Sequence, residues 1–143
     1  MSKDTIELTH YNPQWAEMAQ EESMRIKDCF LASEIIAIQH VGSTAIPGMI
    51  AKPIIDLQIA VRSLESIKQV AIETLKKHDY AYWYENPDPS RMFFVKGMPP
   101  YGSKRTHHIH ICEQTSDHWQ DKISFRDYLI ANPGATQEYR ASG

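Results

Sequence analysis

The sequence lacks the features that mark secreted, membrane or nucleic-acid-binding proteins. Its two cysteines, Cys29 and Cys112, do not have the spacing of a metal-binding pair, which favours a cytoplasmic protein without disulfides. No apolar run is long enough to span a membrane, and residues 1–10 lack the apolar core of a signal peptide. The formal net charge of −3 shows no basic excess, so a dedicated nucleic-acid-binding role is not expected.

What remains has the composition of an ordinary globular protein. The length of 143 residues predicts one domain over 1–143, and the apolar fraction of 42% is typical of a folded chain. A domain of this size buries roughly 68–70% of its unfolded surface, which is enough for a core without cross-links. The sequence contains no internal repeat and no low-complexity segment.

The apolar spacing predicts an α/β (α+β) protein. Helices are predicted at about 13–32, from Ser63 as N-cap through Leu75, and from Ser116 to about Ile130. Strands are predicted at Ile35–Val41, Ile54–Val61, Tyr80–Tyr84, Arg91–Lys96 and Thr106–Glu113. Because helices and strands do not alternate strictly, this order predicts a mixed sheet with helices mainly on one face.

A turn of small residues precedes a strand that carries one acid. The backbone N–H groups at Gly42 and Ser43, with the Ser43 hydroxyl, suit a phosphate contact, and the alternative is a plain tight turn. Asp56 lies among apolar neighbours, where a carboxylate costs several kcal/mol unless it is paired, hydrated or metal-bound. It is therefore predicted to ligate a metal or to form an ion pair with Lys52 or Arg91.

A second group of polar residues follows between Lys96 and Cys112. This stretch has several basic and histidine side chains, among them Lys96 and Arg105, and no Asp or Glu, which is typical of an anion site. The alternative is a solvated loop that leads into a polar strand face. His108 and His110 project to the same face of their strand and would form a three-ligand metal site with Asp56 if the two strands were neighbours.

The sequence resembles the GrpB family over nearly its whole length. The resemblance rests on the segment from His40 to Leu57 and on four further blocks: Tyr11–Trp15, Arg91–Gly97, Arg105–His110 and Phe125–Leu129. It implies a nucleotidyltransferase-like fold, and some family members are fused to dephospho-CoA kinase. The family pattern continues into another helix after Tyr139, so the resemblance implies a chain that is short at its C-terminus.

Carried over to this sequence, Gly42 and Ser43 correspond to the Gly-Ser turn of nucleotidyltransferases, and Asp56 to the first acid of their acidic strand. Gln58 replaces the second acid. Nucleotidyl transfer by two metals needs several carboxylates to hold ions about 3.5–4 Å apart. A neutral amide is a poor substitute, because Mg²⁺ prefers charged oxygen ligands.

We therefore predict a protein that binds a nucleotide or another phosphorylated small molecule, with nucleotidyl transfer as the reaction if it is catalytic. Asp56 would then be the catalytic ligand of a divalent metal, Mg²⁺ or Mn²⁺ ahead of Zn²⁺, with His108 and His110 as further ligands. Phosphate contacts are predicted at Gly42, Ser43, Lys52, Lys96 and Arg105. The alternatives are a non-catalytic binding or interaction module and a single-metal hydrolase, and the oligomeric state is left open.

Overall fold

The computed structural model describes residues 8–31, 33–100 and 102–135. Within these ranges the helices are α1 (Gln14–Lys27), α2 (Leu64–Lys76) and α3 (Asp117–Ala131), with a short 3-10 helix at Ser43–Ala45. The strands are β1 (Ala37–Val41), β2 (Ile55–Val61), β3 (Tyr80–Tyr82), β4 (Arg91–Lys96) and β5 (His107–Glu113). None of the helices in the described ranges has both the length and the apolar character needed to cross a bilayer.

The five strands form one mixed sheet, as predicted, and their order within it is β1-β2-β5-β4-β3. The neighbours β2 and β5 run parallel, and the other three pairs are antiparallel. Since successive side chains on a strand point to opposite faces, the odd-numbered residues of β2 and β5 share one face and the even-numbered residues share the other.

The odd-numbered face carries the main hydrophobic core. Leu57 and Ile59 of β2 lie there with Ile109 and Ile111 of β5, covered by α1 and α2. The remaining helix, α3, packs against the opposite face over β1, β2 and β5. Of the helices α1, α2 and α3 in the described part of the chain, the first two therefore share one face, in agreement with the prediction, while α3 covers part of the polar face.

The element boundaries differ from the predicted ones by a few residues. The first helix ends at Lys27 instead of continuing to about 32, because tight turns at Cys29 and Phe30 take over the backbone hydrogen bonds. The aromatic strand ends at Tyr82 instead of Tyr84, because Trp83 already begins a turn, accepting a backbone hydrogen bond from Asn86.

Two side chains cap α2. Ser63 is its N-cap, as predicted, and its hydroxyl accepts a hydrogen bond from the Ser66 amide. The second cap is Glu113, the last residue of β5. In the parallel register Glu113 lies beside Val61, so its carboxylate reaches the start of α2 and accepts from the Leu64 amide at 3.0 Å.

Removing the Ser63 cap is expected to destabilise the protein. Ser63→Ala leaves an amide of the first turn without its acceptor, at a cost of about 1 kcal/mol in the free energy of unfolding. Urea denaturation at neutral pH measures this loss. Ser66→Ala, at an exposed position of the same turn, is the matched control and should change stability by less than about 0.5 kcal/mol.

Candidate functional site

The parallel pairing of β2 with β5 brings Asp56 together with two histidines. Asp56 is paired with His108 in the ladder, and His110 follows two residues later on the same face. The Asp56 Oδ1 atom lies 3.3 Å from His108 Nδ1 and 3.3 Å from His110 Nε2. The condition set by the sequence, that these two strands be neighbours, is met, and the role of the three side chains as metal ligands stays a prediction.

The local electrostatics favour a charged carboxylate beside a neutral imidazole. Burial alone would raise the pKa of Asp56, but hydrogen bonds from His108 and His110 outweigh it and lower that pKa to about 2. The pKa of His110 is lowered chiefly by burial, even though Asp56 acts in the opposite direction. At neutral pH Asp56 therefore carries its negative charge beside a neutral His110, the protonation states that metal ligation requires of these two groups.

The Gly42 turn lies directly against the carboxylate. Gly42 has φ of 78°, and a Cβ atom at this position would lie 2.6 Å from Asp56 Oδ2. No other residue type fits here without moving the acid. Two hydrogen bonds of the Thr44 hydroxyl anchor the turn. This hydroxyl donates to the Ile54 carbonyl and accepts from His40 Nε2. The backbone of the turn is thus held rigidly beside Asp56.

A cavity of about 430 Å³ opens over this cluster, and we call it the Asp56 cavity. It gathers five of the residues predicted from the sequence: Gly42, Ser43, Asp56, His108 and His110. Its volume lies within the range of small-molecule sites, about 300–1,000 Å³. The structure therefore brings these five predicted residues together around one cavity.

The walls of the Asp56 cavity contain residues that the sequence did not assign to the site. Arg91 and Lys122 contribute positive charge, and Trp83, Phe93 and Phe125 contribute aromatic rings. The sequence relates these residues only by spacing, which does not fix the face that they occupy. Arg91 and Phe93 are two residues apart on β4, where strand pairing places them opposite Cys112 and His110, and Lys122 and Phe125 are one helical turn apart on α3.

Three predicted phosphate ligands lie outside the Asp56 cavity. Lys52 is exposed and does not line it. Lys96 lies on the core face of the sheet, where its Nζ atom binds Glu22 Oε2 at 3.0 Å, so its assignment to the same anion site is wrong. Arg105 lines a neighbouring cavity and approaches His108 Nε2 at 3.5 Å. Neither Lys52 nor Arg91 forms the predicted ion pair with Asp56, because the side chains that lie next to its carboxylate are His108 and His110.

Gln58 is part of the packing of α3 and does not line the cavity. It is fully buried, and its Nε2 atom donates to the Trp119 carbonyl at 2.9 Å. The position that holds a second acid in nucleotidyltransferases is therefore closed off from the cavity. The residues present do not fit a pair of catalytic metal ions.

The donor set of Asp56, His108 and His110 suits a single cation better than a pair of cations. Its two N···O separations of 3.3 Å are close to the separation of about 3.3–3.4 Å between ligands of a tetrahedral ion with bonds of about 2.0–2.1 Å. Two imidazoles and a carboxylate favour Mn²⁺, Fe²⁺ or Zn²⁺ over Mg²⁺. Among the described residues no group of three His, Cys, Asp or Glu side chains is already arranged around a common metal position.

The fold and the site define an α+β protein with a nucleotidyltransferase-like sheet and a polar cavity over its parallel strand pair. The family model described as GrpB protein matches residues 5–142, and the chain belongs to the GrpB family.

Known relatives agree with this assignment. The UPF0157 protein YqkA of Bacillus subtilis is 46% identical over 137 residues, which cover 96% of this chain and 38% of YqkA. The glutamate-rich protein GrpB of Alkalihalophilus pseudofirmus is 32% identical, with 99% and 80% of the two chains covered. The crystal structure of GrpB from Enterococcus faecalis superposes with a TM-score of 0.84 at 32% identity, covering 94% of this chain and 79% of that one.

His40 is expected to make the protein sensitive to mild acid. Burial lowers its pKa from 6.5 to about 4, against the opposing effect of Asp56. Because the unfolded chain binds this proton more readily, the stability contributed by neutral His40 is present above pH 6.5 and is lost as the pH falls towards 4. We expect a loss of about 1–2 kcal/mol between pH 7.5 and pH 5.

Urea denaturation at the two pH values measures this loss. In His40→Gln the dependence of stability on pH should be flatter over the same window. His10→Gln, at an exposed position, is the control and should keep the wild-type slope. Equal slopes in wild type and His40→Gln would contradict the prediction.

Proposed function

We propose that this chain binds a nucleotide or another phosphorylated small molecule in the Asp56 cavity, together with one divalent cation at Asp56, His108 and His110. The observation that carries the proposal is the convergence, in one cavity of about 430 Å³, of a glycine turn, a charged carboxylate with two imidazoles and two cationic side chains. Such a combination of a few polar groups with aromatic walls is typical of ligand sites.

The charges of the cavity suit an anion. Arg91 and Lys122 contribute two positive charges against the single negative charge of Asp56. Among the described residues the Arg91 Nε atom has no hydrogen-bond partner. The Asp88 Oδ2 atom lies 3.7 Å from it, beyond hydrogen-bond distance. An arginine with an unused buried donor is well suited to bind a phosphate oxygen.

The Gly42–Ser43 turn supplies neutral phosphate contacts. Its backbone approaches Asp56 closely because position 42 has no side chain, so a bound phosphate can lie within reach of the turn and the acid together. A cation held by Asp56, His108 and His110 would balance the negative charges of the phosphate and of Asp56. When bound, such a cation polarises a phosphoryl oxygen and lowers the pKa of a bound water.

The reaction favoured by this donor set is hydrolysis at a single metal ion, ahead of two-metal nucleotidyl transfer. The specific observation is Gln58, which is neutral, fully buried and bonded to the Trp119 carbonyl. A binding module without turnover is the alternative. Release of phosphate from a nucleotide in the presence of Mn²⁺ or Zn²⁺ would support hydrolysis, and tight binding without release would identify the binding module.

Thermal unfolding with pyrophosphate or AMP tests the binding proposal, each with EDTA, Mg²⁺, Mn²⁺ or Zn²⁺. A ligand at about a hundred times its Kd stabilises the native state by about 2.7 kcal/mol, which corresponds to a rise in Tm of roughly 5–10 °C. Lys122→Gln should reduce the shift, and Lys68→Gln on the exposed surface of α2 is the matched control. No shift with any ligand and cation would overturn the proposal.

A further inference from the structure

A second cavity, of about 400 Å³, lies beside the Asp56 cavity on the same face of the sheet, and we call it the Val95 cavity. Its lining is Ala81, Tyr82, Trp83, Phe93, Val95 and Arg105. The sheet surface there is formed by β3 and β4, beyond the strands that α3 mainly covers. The two cavities share Trp83 and Phe93 as a common wall.

The shared wall connects the second cavity directly to the Asp56 cluster. The Phe93 ring contacts both imidazoles, with its centroid 5.0 Å from that of His108 and 5.0 Å from that of His110. Arg105, which also lines the Val95 cavity, approaches the same cluster, with its guanidinium 3.5 Å from His108 Nε2. A ligand whose phosphate occupies the Asp56 cavity can therefore extend past Phe93 into the Val95 cavity.

The chemistry of the lining indicates what part of a ligand would lie there. Val95 and Ala81 form an apolar floor, and the indole of Trp83 is 42% exposed although it is a large apolar ring. Trp83 and Phe93 meet at an interplanar angle of 82°, so a flat ring stacked on one of them presents its edge to the other. Both arrangements are favourable for aromatic pairs.

We propose that the ligand of this protein is a phosphate ester that carries a planar aromatic ring, such as a purine nucleotide, and that the ring binds in the Val95 cavity. This inference rests on the proposed function, because it takes the phosphate to lie in the Asp56 cavity. It adds the class of ligand and the location of its ring. Arg105 then contacts the ring or its substituents at the end of the cavity and is not a ligand of the phosphate in the Asp56 cavity.

Calorimetric titration in the presence of Mn²⁺ tests the proposal by comparing ribose 5-phosphate with AMP. Stacking of one base increases affinity by about tenfold or more, so AMP should bind at least about tenfold tighter. Val95→Gln should remove this increase and leave the affinity for ribose 5-phosphate unchanged. Ala81→Gln, at an exposed position on the edge strand, is a second variant for the same cavity, and Val70→Gln on the outer surface of α2 is the matched control.

The outcomes separate the two proposals, with circular dichroism confirming that each variant is folded. A tenfold preference for AMP in wild type and Val70→Gln, lost in both cavity variants, supports the ring site. Equal affinities for both ligands in wild type, or a preference that survives in both cavity variants, overturns the ring site alone. If neither ligand binds to wild type, the proposed function fails, and the ring site fails with it.

Discussion

Asp56→Asn is expected to weaken cation-dependent ligand binding by about 10- to 100-fold, because asparagine keeps the shape of the side chain but removes its charge. The two imidazoles at 3.3 Å would then face a neutral amide, and a cation would lose its one anionic ligand. Calorimetric titration with AMP and Mn²⁺ measures the change. Asp121→Asn, at an exposed position on α3, should bind as wild type does.

The same variant has a signature in acid that does not depend on any ligand. With a pKa of about 2 in the folded protein against 3.8 as the ordinary value, Asp56 contributes about 2 kcal/mol of stability above pH 4 that is lost as the pH falls towards 2. Asp56→Asn should lack this dependence. Unchanged AMP affinity in a folded Asp56→Asn protein would show that Asp56 holds no cation in the complex.

Removing the Glu22 side chain is expected to destabilise the protein strongly, because its carboxylate is buried and bound to several partners. Glu22 lies on α1 with 2% of its surface exposed, where it accepts hydrogen bonds from Tyr80 at 2.7 Å and Lys96 at 3.0 Å and pairs with Arg25. Truncation to alanine leaves the Lys96 ammonium and the Tyr80 hydroxyl without this acceptor. A loss of roughly 3–5 kcal/mol in the free energy of unfolding is expected for a broken buried ion pair.

Urea denaturation of Glu22→Ala at pH 7 measures this loss, and Glu21→Ala, one residue earlier and exposed, is the matched control. Burial acts to raise the pKa of Glu22, but the hydrogen bonds from Tyr80 and Lys96 lower it below its ordinary value of 4.5. The stability that depends on Glu22 is therefore present above about pH 4.5 and declines in stronger acid. A loss below about 1 kcal/mol in Glu22→Ala would contradict this account.

The centre of the site could be predicted because β2 alternates cleanly. Asp56 stands between the apolar residues Ile55 and Leu57, so its face was evident, and the same holds for His108 and His110 on β5. That β2 and β5 are neighbours could not be predicted, because β3 and β4 lie between them in the sequence and either could have paired with β2.

Lys96 was assigned to the anion site because β4 gives no clear alternation that would have placed it on the core face. Its central residues, Met92 to Val95, are all apolar, so the pattern does not distinguish the core face from the cavity face. Pairing decides the matter, since Lys96 lies beside His107 on the core side and Val95 beside His108 on the cavity side.

The cavity residues of α3 and the role of Glu22 were missed for different reasons. Leu129 is the only buried residue of α3, so the helix has no apolar stripe from which its packing face could be predicted.

Glu22, by contrast, follows Trp15 and Ala19 and precedes Ile26 at helical spacing, and all four are buried. Its position in that stripe was a sequence signal for a buried charge, which requires a partner elsewhere in the fold.

The parallel pairing of β2 with β5 also fixes when the site can form during synthesis. Asp56 and His110 are 54 residues apart, and α2, β3 and β4 lie between them in the chain. Closing so long a segment is slow compared with local hairpin formation. While β5 is still within the ribosome, the nascent chain carries Asp56 without either imidazole, so the group of Asp56, His108 and His110 is completed only after β5 has emerged.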